Sequence, residues 1–131
     1  MDQSISHSTT GTKVLIVDDD ESLAEYFSDL LLSRGYKTTV FNDSKAALSY
    51  CKKNLCDFNL VISDICMPEM KGDELAKEIL SLNSDMPIIL CSGYNEHTSK
   101  QQLLDLGVKN LMDKPVKSSD LLNAISNLKL C

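Results

Sequence analysis

Five short apolar runs alternate with five stretches of helical periodicity, and this alternation constrains the fold more than any other feature of the chain. The predicted strands are Val14–Val17, Lys37–Phe41, Leu60–Ser63, Ile88–Cys91 and Asn110–Asp113. The predicted helices are Glu21–Arg34, Ser44–Asn54, Asp73–Leu82, Glu96–Leu106 and a last helix capped by Ser118 or Ser119. Strict alternation favours right-handed crossovers, so we predict an α/β fold with a doubly wound (βα)5 arrangement and one five-stranded parallel sheet.

Length and charge limit what such a chain can bind. Its 131 residues favour a single domain, which we place at 13–131 after a polar, flexible lead-in at 1–12. The formal net charge of −6 argues against binding to nucleic acid or to an anionic membrane surface, since both reward a basic face. No apolar run approaches the ~20 residues needed to span a bilayer, so we expect no membrane insertion.

The cysteines indicate a reduced compartment. There are five, an odd number, and no CxxC spacing occurs: Cys51, Cys56, Cys66, Cys91 and Cys131. A reduced, cytoplasmic setting therefore fits better than a disulfide framework. The two histidines, His7 and His97, have no partner at metal-site spacing, so we interpret both as incidental.

Polar side chains follow every predicted strand at the point where it ends, and on four of the strands we interpret them as functional. Asp18, Asp19 and Asp20 follow the first strand, and Asp64 follows the third. The others are Ser92 after the fourth strand and Lys114 after the fifth. Ligands of open parallel sheets gather at the carboxyl ends of the strands, so we expect these groups to converge at one edge. Asn42 and Asp43, after the second strand, receive no role.

Crowded carboxylates repel one another unless a cation neutralises them. Mg²⁺ prefers oxygen ligands and is often held by one or two carboxylates together with waters and phosphate oxygens. Such a site suits phosphoryl transfer, in which a carboxylate can act as the nucleophile. Lys114 would then offset charge on the phosphoryl oxygens, and Ser92 would donate a hydrogen bond to one of them.

Each of these features has a simpler interpretation when taken alone. An acid after a strand is often the N-cap of the next helix, and we predict that role for Asp20. A single Lys-Pro pair is usually a turn. The four groups occur in order, however, each at the end of a different strand, and together they favour a functional site.

These motifs make the chain similar to the receiver domains of two-component response regulators. The resemblance rests on LIVDDDE, VISDICMPEMKG, LCSGY and LMDKP, and it covers residues 13–131. It implies a flavodoxin-like fold with strand order 2-1-3-4-5. It also implies a phosphoacceptor at Asp64, phosphorylated by a histidine kinase or a histidine phosphotransfer protein, and signalling to a downstream protein target rather than enzymatic turnover.

The resemblance further implies the remaining parts of the site. Asp18, Asp19 and Asp64 would hold Mg²⁺ or, in its place, Mn²⁺, with the backbone carbonyl of Cys66 as a further ligand. Lys114 and Ser92 stand where the family has its lysine and its hydroxyl residue. The peptide bond between Lys114 and Pro115 is expected to be cis, a state that X-Pro bonds allow.

Three positions bear on switching and on the lifetime of the phosphoryl group. Leu111 stands where the family commonly has the Tyr or Phe of its switch, so we expect a smaller change around helix four and strand five, or one that uses Tyr94. Cys66 and Tyr94 occupy the positions that influence the attacking water. Neither positions water strongly, so we expect slow self-dephosphorylation.

Three alternatives to a receiver fit parts of the sequence. A flavin-binding electron carrier needs a phosphate cradle after strand one, where DDDE would repel phosphate. A phosphatase with an aspartate nucleophile requires an additional cap segment over its active site, and the chain is too short to contain one. A phosphorylation-independent pseudo-receiver that binds proteins is the remaining alternative, against which the intact acid set argues. The GDELAKEIL and PIILCSGY segments resemble receivers attached to hybrid sensor kinases, so we expect either a free-standing receiver or one excised from a larger protein.

Overall fold

The protein alternates strands and helices in the predicted order. A computed structural model describes residues 11–54, 57–93 and 100–128. The elements along the chain are β1 (Lys13–Val17), α1 (Glu21–Leu32), β2 (Lys37–Phe41), α2 (Ser44–Lys53), β3 (Leu60–Asp64), α3 (Gly72–Leu82), β4 (Ile88–Ser92), α4 (Lys100–Leu106), β5 (Asn110–Asp113) and α5 (Ser118–Ser126).

All five strands form one parallel sheet in the order β2-β1-β3-β4-β5. This confirms the doubly wound (βα)5 fold and the strand order that the family resemblance implied. The register aligns Val17 at the end of β1 with Phe41 of β2 on one side and with Ser63 of β3 on the other. The carboxyl ends of the strands therefore lie together at one edge of the sheet.

The strands are continuously apolar because the sheet is covered on both faces. Val14 and Ile16 of β1 belong to a buried cluster with residues of α1 and α5, whereas Leu15 and Val17 belong to a cluster with residues of α2, α3 and α4. Successive side chains of one strand point to opposite faces, so each half of the strand's apolar surface meets a different helical layer.

Helix ends differ from the predictions at four of the described boundaries. Two differ by one residue, since α2 ends at Lys53 rather than Asn54 and α3 begins at Gly72 rather than Asp73. α1 ends at Leu32 rather than Arg34. The chain then turns through Gly35, at φ +93°, and the Tyr36 amide donates to the Leu31 carbonyl at 3.0 Å. At α5 the capping prediction was wrong: Ser118 is the first helical residue, and Lys117 occupies the cap without a side-chain hydrogen bond.

Some predictions fall on residues that the structure does not describe, namely 1–10, 55–56, 94–99 and 129–131. They include most of the lead-in and the first residues of the helix predicted from Glu96. Thr12 is already tied to the sheet, since its carbonyl accepts a hydrogen bond from the Lys37 amide at 2.9 Å. Among the described residues, no helix is long and apolar enough to cross a membrane.

Candidate functional site

The end of β1 delivers Asp18 to the carboxyl edge of the sheet in a fixed orientation. Asp18 is only 2% exposed. The Asp18 amide donates to the Phe41 carbonyl at 3.0 Å, which extends the pairing of β1 with β2 by one residue. Its Oδ1 accepts a hydrogen bond from the Asp20 amide at 2.9 Å. The carboxylate is therefore held by its own chain and cannot rotate freely.

Asp19 and Asp20 have different surroundings, although both are exposed. Asp20 is the N-cap of α1, and its Oδ1 accepts a hydrogen bond from the Leu23 amide at 3.2 Å. This confirms the capping role that the sequence predicted. The carboxylate of Asp19 instead approaches those of Asp18 and Asp64, and ligand oxygens of the three lie within 4.8 Å of one another.

Asp64 is the last residue of β3 and is only 4% exposed. The hydroxyl of Ser63 donates to the Asp64 carbonyl at 2.9 Å, and the amide of Cys66 donates to the Asp64 carboxylate. Backbone and side chain are thus both restrained at the point where the strand ends.

Gly72, the first residue of α3, packs directly on the backbone that follows β3. A Cβ built at this position would lie 2.1 Å from the carbonyl oxygen of Asp64 and 2.8 Å from the Cα of Ile65. The Gly72 amide also donates to the Ile65 carbonyl at 2.9 Å. Glycine is therefore required here for close approach rather than for an unusual φ, which explains its place at the end of the segment from Asp64 to Gly72.

Lys114 follows the last residue of β5, two strands away from β3, and brings a positive charge to Asp64. Its Nζ lies 2.7 Å from Asp64 Oδ1, and its side chain is 26% exposed. The peptide bond between Lys114 and Pro115 is cis, as expected. The Lys114 amide donates to the carbonyl of Ser92 at 2.8 Å, which ties the end of β5 to the end of β4. Ser92 is 7% exposed at this edge.

The acids lie where charge is costly. Burial raises the pKa of Asp18 to about 6, with Asp64 and Asp19 adding to the rise, although the Asp20 amide and Lys114 oppose it. Burial also raises the pKa of Asp64 despite its contact with Lys114. Burial acts to lower the pKa of Lys114, but its hydrogen bond to Asp64 and the nearby negative charges outweigh this effect, so its pKa is raised. The lysine alone therefore does not neutralise the cluster.

The donor chemistry of this cluster fits a hard divalent cation. Three carboxylates supply oxygen ligands, and two of them are buried. Their combined negative charge is not fully neutralised by the nearby lysine. Ligand oxygens of all three lie within 4.8 Å of one another, so a single ion would reach each of them directly or through water.

Two polar residues after β2, which the sequence analysis left without a role, have defined contacts. The side-chain amide of Asn42 donates to the carbonyl of Asp18 at 2.9 Å. Asp43 is the N-cap of α2, with its Oδ1 accepting from the Lys45 amide at 3.2 Å. Their position just past a strand end is the same signal that identified Asp64 and Ser92, but that signal does not say which groups the two side chains contact.

The residues of the expected switch are only partly described. Leu111 is half-buried on β5, is aligned with Leu90 of β4, and packs against the cluster on the face of α2, α3 and α4. Tyr94 lies outside the described residues. Cys51, Cys66 and Cys91 are not in disulfides. The reduced setting stays a prediction.

Comparison with known proteins agrees with this arrangement. The profile of the response regulator receiver domain matches residues 14–126. The two-component response regulator ARR12 of Arabidopsis thaliana is 34% identical over 113 residues, which are 86% of this chain and 19% of that protein. The sensory transduction protein RegX3 of Mycolicibacterium smegmatis is 32% identical over 114 residues, 87% of this chain and 49% of that protein.

Solved structures give the same result. A response regulator receiver domain protein from Clostridium thermocellum superposes with a TM-score of 0.85 at 26% identity, covering 89% of this chain and 93% of that one. The fold and the acid cluster define a doubly wound α/β domain with its site at the carboxyl edge of the sheet. Within that class the chain belongs to the response regulator receiver domain family. It spans 19% and 49% of the lengths of the two curated relatives named above.

Proposed function

We propose that Asp64 accepts a phosphoryl group from a phosphohistidine in a reaction that depends on Mg²⁺. The observation that supports this most directly is the 2.7 Å contact of Lys114 with Asp64 Oδ1 beside two further carboxylates. A carboxylate oxygen of Asp64 attacks phosphorus, and the N–P bond breaks with its electron pair going to the histidine nitrogen. Because the second ring nitrogen already carries a proton, the histidine leaves as neutral imidazole. The donor is a histidine kinase or a histidine phosphotransfer protein.

Each group near Asp64 has a defined task in this proposal. Asp18, Asp19, Asp64 and the Cys66 carbonyl hold the cation, which can be Mg²⁺ or Mn²⁺ and supplies charge neutralisation for the incoming phosphoryl oxygens. Lys114 moves its contact from the Asp64 carboxylate to a phosphoryl oxygen. Ser92 donates a hydrogen bond to another. Because Asp64 is restrained by its neighbours, little reorganisation of the acceptor is needed before transfer.

The test is phosphorylation by a small acyl phosphate in the presence of Mg²⁺, followed by intact-mass measurement. The wild-type protein should gain one phosphoryl group, and Asp64→Asn should gain none. Asp29→Asn, which removes an exposed acid of α1, is the matched control and should behave as wild type. A wild-type protein that stays unmodified while it binds Mg²⁺ would favour the phosphorylation-independent alternative.

The output of this domain is a changed protein-binding surface rather than a turnover reaction. With Leu111 in the place of an aromatic residue, the rearrangement around α4 and β5 is small or is completed by Tyr94. The downstream target is a protein in the cytoplasm. Comparing NMR spectra with and without a phosphate mimic tests this: a full rearrangement of that surface in which Tyr94 does not move would contradict it.

The phosphoryl group on Asp64 is expected to be long-lived. Cys66 is exposed at the second position after Asp64, and neither its thiol nor the phenol of Tyr94 is a strong base for water. Decay of the phosphorylated mass measures the lifetime. A half-life of seconds that stays the same in Tyr94→Ala would refute slow self-dephosphorylation.

A further inference from the structure

The amide and the carbonyl of Asp18 are both held from outside by the end of β2. The Asp18 amide donates to the Phe41 carbonyl at 3.0 Å, and the Asp18 carbonyl accepts from the Asn42 side chain at 2.9 Å. That carbonyl belongs to the same rigid plane as the Asp19 amide. Fixing it therefore fixes the direction in which the chain leaves Asp18 and presents Asp19.

The Asn42 side chain takes the place of a backbone donor. If the parallel ladder between β1 and β2 continued, the next bond to the Asp18 carbonyl would come from the amide of Asp43. Asp43 instead begins the turn into α2 as its N-cap. The amide of Asn42 supplies the missing donor, so β1 stays aligned one residue beyond the last paired strand position.

We propose that Asn42 is a positioning residue for the cation site, acting through the peptide plane between Asp18 and Asp19. This inference rests on the proposed Mg²⁺ site. Asp18 is already held at its amide and at Oδ1, whereas Asp19 is exposed and depends on the direction of the backbone. Without the Asn42 bond this plane can rotate, and the oxygens of Asp19 spend less time within reach of those of Asp18 and Asp64.

The surroundings of Asn42 make the idea testable without damage to the core. The residue is exposed and follows the edge strand β2, so its substitution leaves both buried clusters intact. Replacing a residue that orients a metal ligand typically weakens metal affinity by 10- to 100-fold. Asn42 acts through an exposed hydrogen bond, so we expect the low end of this range, about tenfold.

The experiment is a titration of the metal-free protein with Mg²⁺ alone, followed by ¹H–¹⁵N NMR. Two variants separate the amide donor from the bulk of the side chain: Asn42→Ala removes both, and Asn42→Leu keeps a similar size without a donor. Asp43→Ala is the matched control, because it removes the cap of α2 one residue further on. Thermal unfolding in EDTA verifies that every sample is folded at the titration temperature.

The expected result is a dissociation constant raised about tenfold in both Asn42 variants and changed less than twofold in Asp43→Ala. An Asn42→Leu protein that binds Mg²⁺ like wild type would overturn the role of the amide. Equal weakening in Asp43→Ala would show that any loosening of this loop suffices, which also overturns it. If wild type binds no Mg²⁺, the metal site itself is wrong and the role of Asn42 falls with it.

Discussion

Replacing Gly72 with alanine should damage the fold and the site together, because α3 begins in contact with the backbone of the residue proposed to accept phosphate. The added Cβ would lie 2.1 Å from the Asp64 carbonyl oxygen, whereas ordinary contacts begin at 3.4 Å. The obstructing atoms are backbone atoms, so no side-chain rotation relieves the clash. Either α3 moves outward or the end of β3 moves, and in both cases Asp64 is disturbed.

The cost follows from two effects in the same direction and one against them. Overpacking in a well-packed region costs about 1–3 kcal/mol. Weakening the 2.9 Å hydrogen bond from the Gly72 amide to the Ile65 carbonyl adds about 1 kcal/mol. The better helix propensity of alanine returns at most about 1 kcal/mol. We therefore expect Gly72→Ala to lower the free energy of unfolding by about 1–4 kcal/mol.

The assays are urea unfolding in EDTA and phosphorylation by acyl phosphate with Mg²⁺. A displacement of Asp64 by about 1 Å should slow phosphorylation by up to about 100-fold. Gly93→Ala is the matched control, since a Cβ at Gly93 would meet nothing within 4 Å, and that variant should keep its stability. The reasoning is refuted if Gly72→Ala unfolds within about 0.5 kcal/mol of Gly93→Ala and is phosphorylated at the same rate.

Three further predictions concern the acids and the lysine. Asp20→Ala should lower the free energy of unfolding by about 1 kcal/mol and change the Mg²⁺ affinity little. Asp19→Asn should weaken Mg²⁺ binding and leave urea unfolding almost unchanged. A reversed pattern would contradict the roles assigned to the two acids. Because burial raises the pKa of Asp18 from 3.8 to about 6, the contribution of this carboxyl group to the stability of the metal-free protein should fall by about 3 kcal/mol between about pH 4 and pH 7, a loss that urea unfolding should find reduced in Asp18→Asn. Lys114→Met should raise the pKa of Asp64 further and slow phosphorylation, which NMR titration and intact mass would measure; an unchanged pKa would rule out the ion pair in solution.

The sequence predicted the fold well because its main signals are local. The run from Val14 to Val17 and the helical periodicity of α3 report burial directly, and the alternation of such segments leaves one sensible arrangement. Helix ends were predicted less accurately, because several neighbouring residues can serve as the cap of one helix. Ser118 looked like a cap, yet α5 starts at Ser118 itself, after Lys117. The sequence alone does not tell whether a serine near the start of a helix is the N-cap or the first helical residue.

The sequence predicted the parts of the site whose chemistry requires one residue type. It predicted less well the contacts that depend on the pairing register of neighbouring strands. Asp64 and Lys114 were identified from their places at strand ends, and the structure brings them within 2.7 Å. The contact of Asn42 with the Asp18 carbonyl depends on which residues of β1 and β2 lie side by side, and the strand pattern does not specify this pairing. The close approach at Gly72 likewise depends on how α3 docks, which no local pattern reveals.

The strand order has a consequence for how the protein folds. The acids come from β1 and β3, the hydroxyl from β4 and the lysine from β5, so the candidate site draws on four neighbouring strands and on residues from Asp18 to Lys114. Parallel pairing between such distant segments is slow, because each loop must close before its contacts form. A cation held by Asp18, Asp19 and Asp64 would bind only after β3 has paired with β1. Binding of Mg²⁺ during refolding would therefore report when the centre of the sheet is complete, well after the helices acquire their secondary structure.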